Sequence, residues 1–315
     1  MRILVTGSAG HLGEALVRRL REDGHDVAGI DVLASPFGEV GSILDRGFVR
    51  SRIEGADGVI HAATLHKPHV ATHARQAFVD VNVTGTLTLL EAAVAARVPR
   101  FIFTSTTSAF GRALVPAPGE PAAWIKEDVA PVPRNIYGAT KCAAEDLCQL
   151  FARDHGLACT VLRTSRFFPE EDDDPTVRAG YEDGNVKANE LLYRRVDLED
   201  VVDAHRVALE RAPALGFAKY VISATTPFAR DDLAELRRDA PSVVARLFPD
   251  YREIYASRGW RMFPSIDRVY VNARARDELG WRPRWDFARV LECLCAGKEP
   301  RSALAQVVGA KGYHR

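Results

Sequence analysis

Two hydrophobic periods take turns along this chain. Ile3-Leu4-Val5 is a short continuous apolar run, which predicts a buried strand. Leu12, Leu16 and Leu20 follow at four-residue spacing, the mark of one helix face, and Gly24 supplies a stop. Val27-Ala28-Gly29-Ile30-Asp31 predicts a second strand and Gly58-Val59-Ile60-His61-Ala62-Ala63 a third. A long helix is predicted over about 74–97, a strand over Arg100–Ser105, a helix running from Tyr137 to about His155, and a strand over Ala158–Arg163. Strands alternating with helices imply an α/β fold with a doubly wound parallel sheet. After Arg163 the alternation weakens. A loop at Glu170–Asp174, a helix near Leu198–Arg211 and a strand at Tyr220–Ala224 are predicted. Helices near 231–248, one at 273–280 and a last one from about Asp286 follow. No repeat or low-complexity linker interrupts the chain, so a second lobe is expected to grow from insertions. The expected division is a core over 1–165 and a small C-terminal lobe over 166–315, with about 195–224 returning to the core.

The first strand and helix enclose Thr6-Gly7-Ser8-Ala9-Gly10-His11-Leu12-Gly13. Strand, glycine-rich turn and helix in this order are what dinucleotide binding requires. Gly7 allows the tight turn, Gly10 the close approach of a pyrophosphate, and Gly13 close helix–strand packing. The phosphates then meet the free N–H groups of a helix N-terminus. Asp31, ending the second strand, stands where a carboxylate binds a ribose 2′-hydroxyl. It repels a 2′-phosphate, and no Arg follows it closely, so NAD is favoured over NADP. A Rossmann-type core is the expectation.

Tyr137-Gly138-Ala139-Thr140-Lys141 adds chemistry to that core. Residues four apart share one helix face, so the Lys141 ammonium can lie near the Tyr137 phenol. A phenol titrates near pH ~10 when unperturbed. A neighbouring cation lowers that value and makes Tyr137 a usable acid/base for an alcohol or carbonyl. The plainer alternative is an ordinary pair on a helix surface.

Composition narrows the class. The chain has 315 residues, 47% hydrophobic, with 42 basic and 42 acidic side chains. Balanced charge without a basic cluster argues against nucleic-acid and membrane-surface partners. With the first strand starting at Arg2 and no apolar run of transmembrane length, a cytoplasmic protein is expected. Cys142, Cys148, Cys159, Cys293 and Cys295 form no CxxC pair, and their odd number favours reduced thiols.

Taken in order, these motifs resemble the extended short-chain dehydrogenases/reductases, the NAD-dependent epimerase/dehydratase family. The match runs through Thr6-Gly7-x-x-Gly10-x-x-Gly13, Asp57-Gly58-Val59-Ile60-His61-Ala62-Ala63, and Asn82 within Asn-Val-x-Gly-Thr. Phe101-Ile102-Phe103-Thr104-Ser105-Thr106, Tyr137-x-x-x-Lys141, Leu162-Arg163, Arg195–Val201 and Leu279-Gly280-Trp281-Arg282-Pro283 continue it. The resemblance implies that Tyr137 is the catalytic acid/base and that Lys141 lowers its pKa and binds the nicotinamide ribose. Thr106 falls where a Ser/Thr hydrogen-bonds the reacting oxygen, with Ser105 and Thr107 as neighbouring alternatives. Gly7, Gly10, His11, Leu12, Gly13 and Asp31 are placed on the cofactor, as are Ser42, Ile43, Ala62, Ala63 and Asn82. Asn82 would help position the active site, or be a satisfied core amide. A homodimer formed by the helices of Asn82 and Tyr137 is a further implication.

Departures from the pattern concern the substrate. Sugar-nucleotide 4,6-dehydratases carry an Asp-Glu pair after the catalytic Thr; Thr107 and Ser108 stand here, which argues against dehydration. Arg166 stands where the family often has an Asn. It is either an anion holder with paired hydrogen bonds or an ion-paired Arg. Thr107, Arg166 and Phe168 are the expected substrate contacts, and Phe167 a core residue. The segment from Arg163 to Arg195 is short for a nucleotide cradle. His66, His69 and His73 have spacings open to a metal, but Pro68 interrupts them and no metal is expected. The acidic run at 170–174 reads as a solvated loop. The expectation is therefore an NAD-dependent enzyme acting on a sugar hydroxyl, foremost a sugar-nucleotide epimerase. Alternatives are a dehydrogenase of a free sugar, sugar acid or polyol, and a non-catalytic NAD-binding protein.

Overall fold

The computed structural model describes residues 1–312. Its strands are β1 (Arg2–Thr6), β2 (Asp26–Asp31), β3 (Glu39–Val40), β4 (Gly58–His61), β5 (Arg100–Thr106), β6 (Ala123–Ile125), β7 (Ala158–Thr164), β8 (Phe217–Ile222) and β9 (Arg268–Tyr270). Seven of them form one sheet in the order β3-β2-β1-β4-β5-β7-β8, and every pairing is parallel. Register places Ile3 opposite both Val27 and Gly58, and Thr106 opposite Thr164. The order reverses at β1, so a crevice opens beyond the carboxyl ends of β1 and β4.

Helices cover both faces, which is why the strands read as unbroken apolar runs. Ile3, Val5, Ile60, Ile102 and Leu162 pack against helices His11–Glu22 and Leu198–Leu215. The intervening residues Leu4, Val59, Phe101, Phe103 and Val161 face helices Arg46–Ile53, Arg75–Ala95 and Ile136–His155. A separate core lies in the C-terminal part, built around Leu192, Leu236, Val244, Tyr255, Val269 and Phe287. The boundary is interleaved. Ala122 and Trp124 cross into that lobe, where β6 pairs with β9, while Leu279, Trp281 and Val308 pack back on the first core.

Several predicted elements shift. The helix expected to stop near Arg211 continues through Pro213 to Leu215; Leu209 O, which Pro213 has no N–H to bond, accepts from Arg100 Nη1 at 3.3 Å. The strand expected at 220–224 is β8 at 217–222, and a short helix, Ala303–Val308, follows the one expected to be last. β3, β6 and helix Arg46–Ile53 were too short for a period to show. One helix among the described residues, Arg75–Ala95, is long and apolar enough to cross a membrane by length and composition, contrary to expectation. It instead packs Phe78, Leu89, Leu90 and Ala93 inward. A π turn over Asp80–Thr84 interrupts it and carries Asn82.

Candidate active site

A cavity of about 520 Å³ opens at the crevice beyond β1 and β4. The glycine turn forms one wall. Gly7 has φ +75°, and a Cβ there would meet Ala63 N at 2.7 Å; a Cβ on Gly13 would sit 1.9 Å from Gly7 O. The turn therefore has no room for side chains at either position. Gly10 N donates to Gly7 O (3.1 Å), and Gly10 precedes the first helix in extended conformation. Thr6 fastens this wall to β4: its Oγ1 lies 2.7 Å from His61 Nδ1 and accepts from Ala63 N at 3.1 Å. At the end of β2, Asp31 accepts from Ala9 N (3.0 Å) and Leu33 N (2.9 Å), which aims the carboxylate along the cavity rim.

Gly7, Gly10, His11, Leu12, Gly13 and Asp31 all line the cavity, as do Ser42, Ile43, Ala62 and Ala63. Backbone N–H groups at a helix start, a close-packed glycine cradle and a carboxylate at the end of β2 fit the pyrophosphate and ribose of NAD. Asn82 does not line the cavity. It lies behind the wall, where its amide accepts from Leu65 N and Thr64 Oγ1 and donates to Leu65 O and Thr140 Oγ1, all at 2.9–3.0 Å. It is a fully bonded tie between the loop after β4 and two helices.

Tyr137, Lys141, Thr106 and Thr107 line the same cavity. Asn135 caps the helix of Tyr137 and Lys141 by accepting from Gly138 N (3.0 Å), which fixes the first turn that carries Tyr137. Burial pushes the Tyr137 phenol up to about 12, and a hydrogen bond with Thr106 opposes this only in part. The Lys141 ammonium on the next turn of the helix is engaged with β5. Its Nζ donates to Thr104 O (2.6 Å) and lies 4.0 Å from the centre of the Phe103 ring. Burial lowers Lys141 to about 7, with Glu145 and Cys148 opposing.

Arg166 also lines the cavity, and it is ion-paired: Nη1 lies 2.7 Å from Asp172 and 3.5 Å from Glu190. Arg194 and Arg195 meet Glu190 at 2.8 and 2.7 Å. Burial works against the Glu190 carboxylate, but these three guanidinium groups bring it down to about 2. The acidic run is a loop, as expected, exposed at Glu171, Asp173 and Asp174 but turned inward at two of its residues. Asp172 is buried against Arg166, and Glu170 accepts from Lys311 N (3.0 Å) and pairs with His11 Nε2 (3.0 Å). Asp173 meets Lys67 at 2.5 Å.

Phe168 lies between His11 and His66, with ring centres 5.5 and 5.4 Å away, and Phe167 lines the cavity beside it. His66, His69 and His73 form a run of ring contacts at 4.5 and 5.0 Å. No metal-binding group of three side chains occurs among the described residues. Three arginines that sequence reasoning missed, Arg134, Arg194 and Arg268, share the cavity with Tyr270. Nothing local in the chain marks them, because they arrive from three separate segments.

Comparison with known proteins agrees with this geometry. Residues 3–222 match the NAD dependent epimerase/dehydratase family. The chain is 28% identical to a UDP-glucose 4-epimerase of Streptomyces lividans, over 92% of this chain and 94% of that one. It is 30% identical to a dTDP-glucose 4,6-dehydratase of Streptomyces antibioticus, covering 91% and 89%. A crystal structure of a short-chain dehydrogenase/reductase superfamily protein from Agrobacterium tumefaciens with bound NAD superposes with a TM-score of 0.68 at 27% identity, covering 94% and 96%.

Proposed function

The chain belongs to the NAD-dependent epimerase/dehydratase family, and from that premise we propose that it is a sugar-nucleotide epimerase. It is an enzyme of the extended short-chain dehydrogenase/reductase type, and NAD is its cofactor. The chemistry NAD supplies when bound is reversible hydride transfer. Tyr137 takes the proton from a substrate hydroxyl and later returns it, and Thr106 holds that oxygen by a hydrogen bond. Lys141, released from Thr104 O, supplies the positive charge that a phenolate needs. Arg134, together with Arg194 and Arg268, which are paired with Glu190 and Asp267, brings guanidinium groups to the cavity side proposed to meet a diphosphate or another anionic substituent.

The observation that carries this reading is the convergence of Tyr137, Thr106 and Lys141 with the glycine cradle and the arginines in one cavity. Thr107 and Ser108 in place of an acid pair favour epimerisation over elimination. The test is incubation with UDP-glucose or UDP-galactose, with chromatographic separation of the two. Interconversion without net NADH supports the epimerase. Steady NADH formation with a free sugar, sugar acid or polyol supports a dehydrogenase in its place. Turnover unchanged by Tyr137→Phe would sink both.

The reading includes a homodimer formed through helices Arg75–Ala95 and Ile136–His155; the partly exposed Leu147 and exposed Leu150 support that face, and light scattering tests it. It also includes a cytoplasmic setting, supported by five unpaired thiols and tested by fractionation.

A further inference from the structure

Helix Ile136–His155 carries three buried ionisable side chains at four-residue steps on the face that meets β5: Tyr137 and Lys141, which line the cavity, and Glu145 behind them. Three consecutive residues of β5 receive them. Thr106 hydrogen-bonds Tyr137, Thr104 O accepts from Lys141 Nζ, and Ser105 Oγ donates to Glu145 at 2.6 Å. Glu145 is 1% exposed and is held from two further strands. Arg163 of β7 grips it in a fork, Nε at 3.0 Å and Nη2 at 2.7 Å, and Lys219 of β8 approaches to 3.3 Å.

We propose that Glu145 is a positioning residue for the acid/base pair: its clamped carboxylate sets the charge state of Lys141 and, through it, the proton affinity of Tyr137. This rests on the roles given above to Tyr137 and Lys141. Burial alone would raise the Glu145 carboxyl, but Arg163, Ser105 and Lys219 hold it below the ordinary carboxylate range, so it is an anion at neutral pH. The other groups facing Lys141 are neutral there. His61 on β4 is held well below its usual value by burial and by Lys141 itself. Cys148 is held well above its usual value by burial and by Cys159 of β7. Beyond Glu145, the surrounding charges are Asp146 beside Lys219, and Glu127, which faces Arg163. Cys142, raised to about 11 by burial and Glu145, is neutral as well. Burial acts to discharge Lys141; Glu145 is the larger influence against it, ahead of Cys148.

The test reads Lys141 directly and needs no substrate. The full-length enzyme, with and without NAD, carries ε-13C-lysine and is titrated by NMR, the Lys141 signal being assigned by its loss in Lys141→Met. Glu145→Gln keeps the shape and removes the charge, and it is expected to lower the Lys141 midpoint by about one pH unit. Glu145→Asp keeps the charge and is expected to stay near wild type even where its melting temperature falls. Lys219→Met removes a competing cation from a half-buried site on β8 and is expected to raise the midpoint. A folded Glu145→Gln with an unmoved midpoint overturns the proposal. If Glu145→Gln does not fold, Lys219→Met decides, and an unmoved or lowered midpoint there overturns it. A failed UDP-sugar assay with these shifts present would count against the substrate reading alone.

Discussion

Lys141→Met measures how far the active site depends on one cation. Burial holds the Tyr137 phenol at about 12 with the Thr106 hydrogen bond already in place. At pH 7 the phenolate is then five units uphill, roughly 7 kcal/mol at ~1.36 kcal/mol per unit, or about one molecule in 10⁵. A cation brought within about 4–6 Å recovers ~1–3 of those units. In the proposed mechanism Lys141, released from Thr104 O, is that cation, and burial lowers it to about 7, so that it is half protonated near pH 7. Lys141→Met is therefore expected to raise the phenol in the NAD complex by ~1–3 units and to cut turnover at neutral pH by roughly 10- to 1,000-fold. Ultraviolet difference titration of tyrosinate, with Tyr137→Phe as the blank, reads the first quantity, and initial rates across pH read the second. A Tyr137 titration that stays within about 0.3 unit of wild type in the NAD complex would refute the reasoning.

Other perturbations follow from the same geometry. Tyr137→Phe is expected to lower turnover by ~10²–10⁴-fold with NAD affinity and melting temperature near wild type; equal losses of NAD binding would show a structural role. Gly13→Ala drives a Cβ to 1.9 Å from Gly7 O, a backbone atom that cannot swing away. It is expected to cost about 1–3 kcal/mol of stability and at least tenfold in NAD affinity, read by thermal melting and NAD titration. Glu190, drawn from 4.5 to about 2, stabilises the fold above its unfolded value, and that contribution is lost as pH falls through about 2. That contribution is roughly 3 kcal/mol, so urea unfolding between pH 6 and 2 is expected to steepen there in wild type and flatten in Glu190→Gln. Glu170→Gln weakens the contacts that join His11 of the glycine turn to Lys311. Faster proteolysis after Val308 and a few-fold loss of NAD affinity are expected, and unchanged values of both would separate that contact from the cofactor wall.

Much of the core was legible because its demands are local. A strand buried on both faces needs a continuous apolar run, and a helix on a sheet needs one apolar stripe. A turn with φ +75° at position 7, where an added Cβ would fall 2.7 Å from Ala63 N, needs glycine there. Those requirements act within a few residues, so Gly7, Gly10, Gly13, Asp31 and the Tyr137/Lys141 spacing mark the site before any folding is considered. What joins distant segments was hidden. Glu145 and Arg163 stand 18 residues apart and meet because β7 lies beside β5. Arg134, Arg194 and Arg268 share a cavity only after the chain has crossed between two cores. Glu170 and Asp172 look solvated in sequence because an acidic run has no local partner, and they turn inward because His11 and Arg166 are waiting there.

The amino-acid sequence by itself determined the sheet and the cofactor turn, and which phenol and ammonium share a helix face. Tertiary structure decided their electrostatics. Proton affinity depends on total burial and on charges from every packed element, and no spacing encodes that sum. Burial therefore raises Tyr137, Lys141 donates to Thr104 O, and a carboxylate clamped by two other strands opposes the loss of the Lys141 charge.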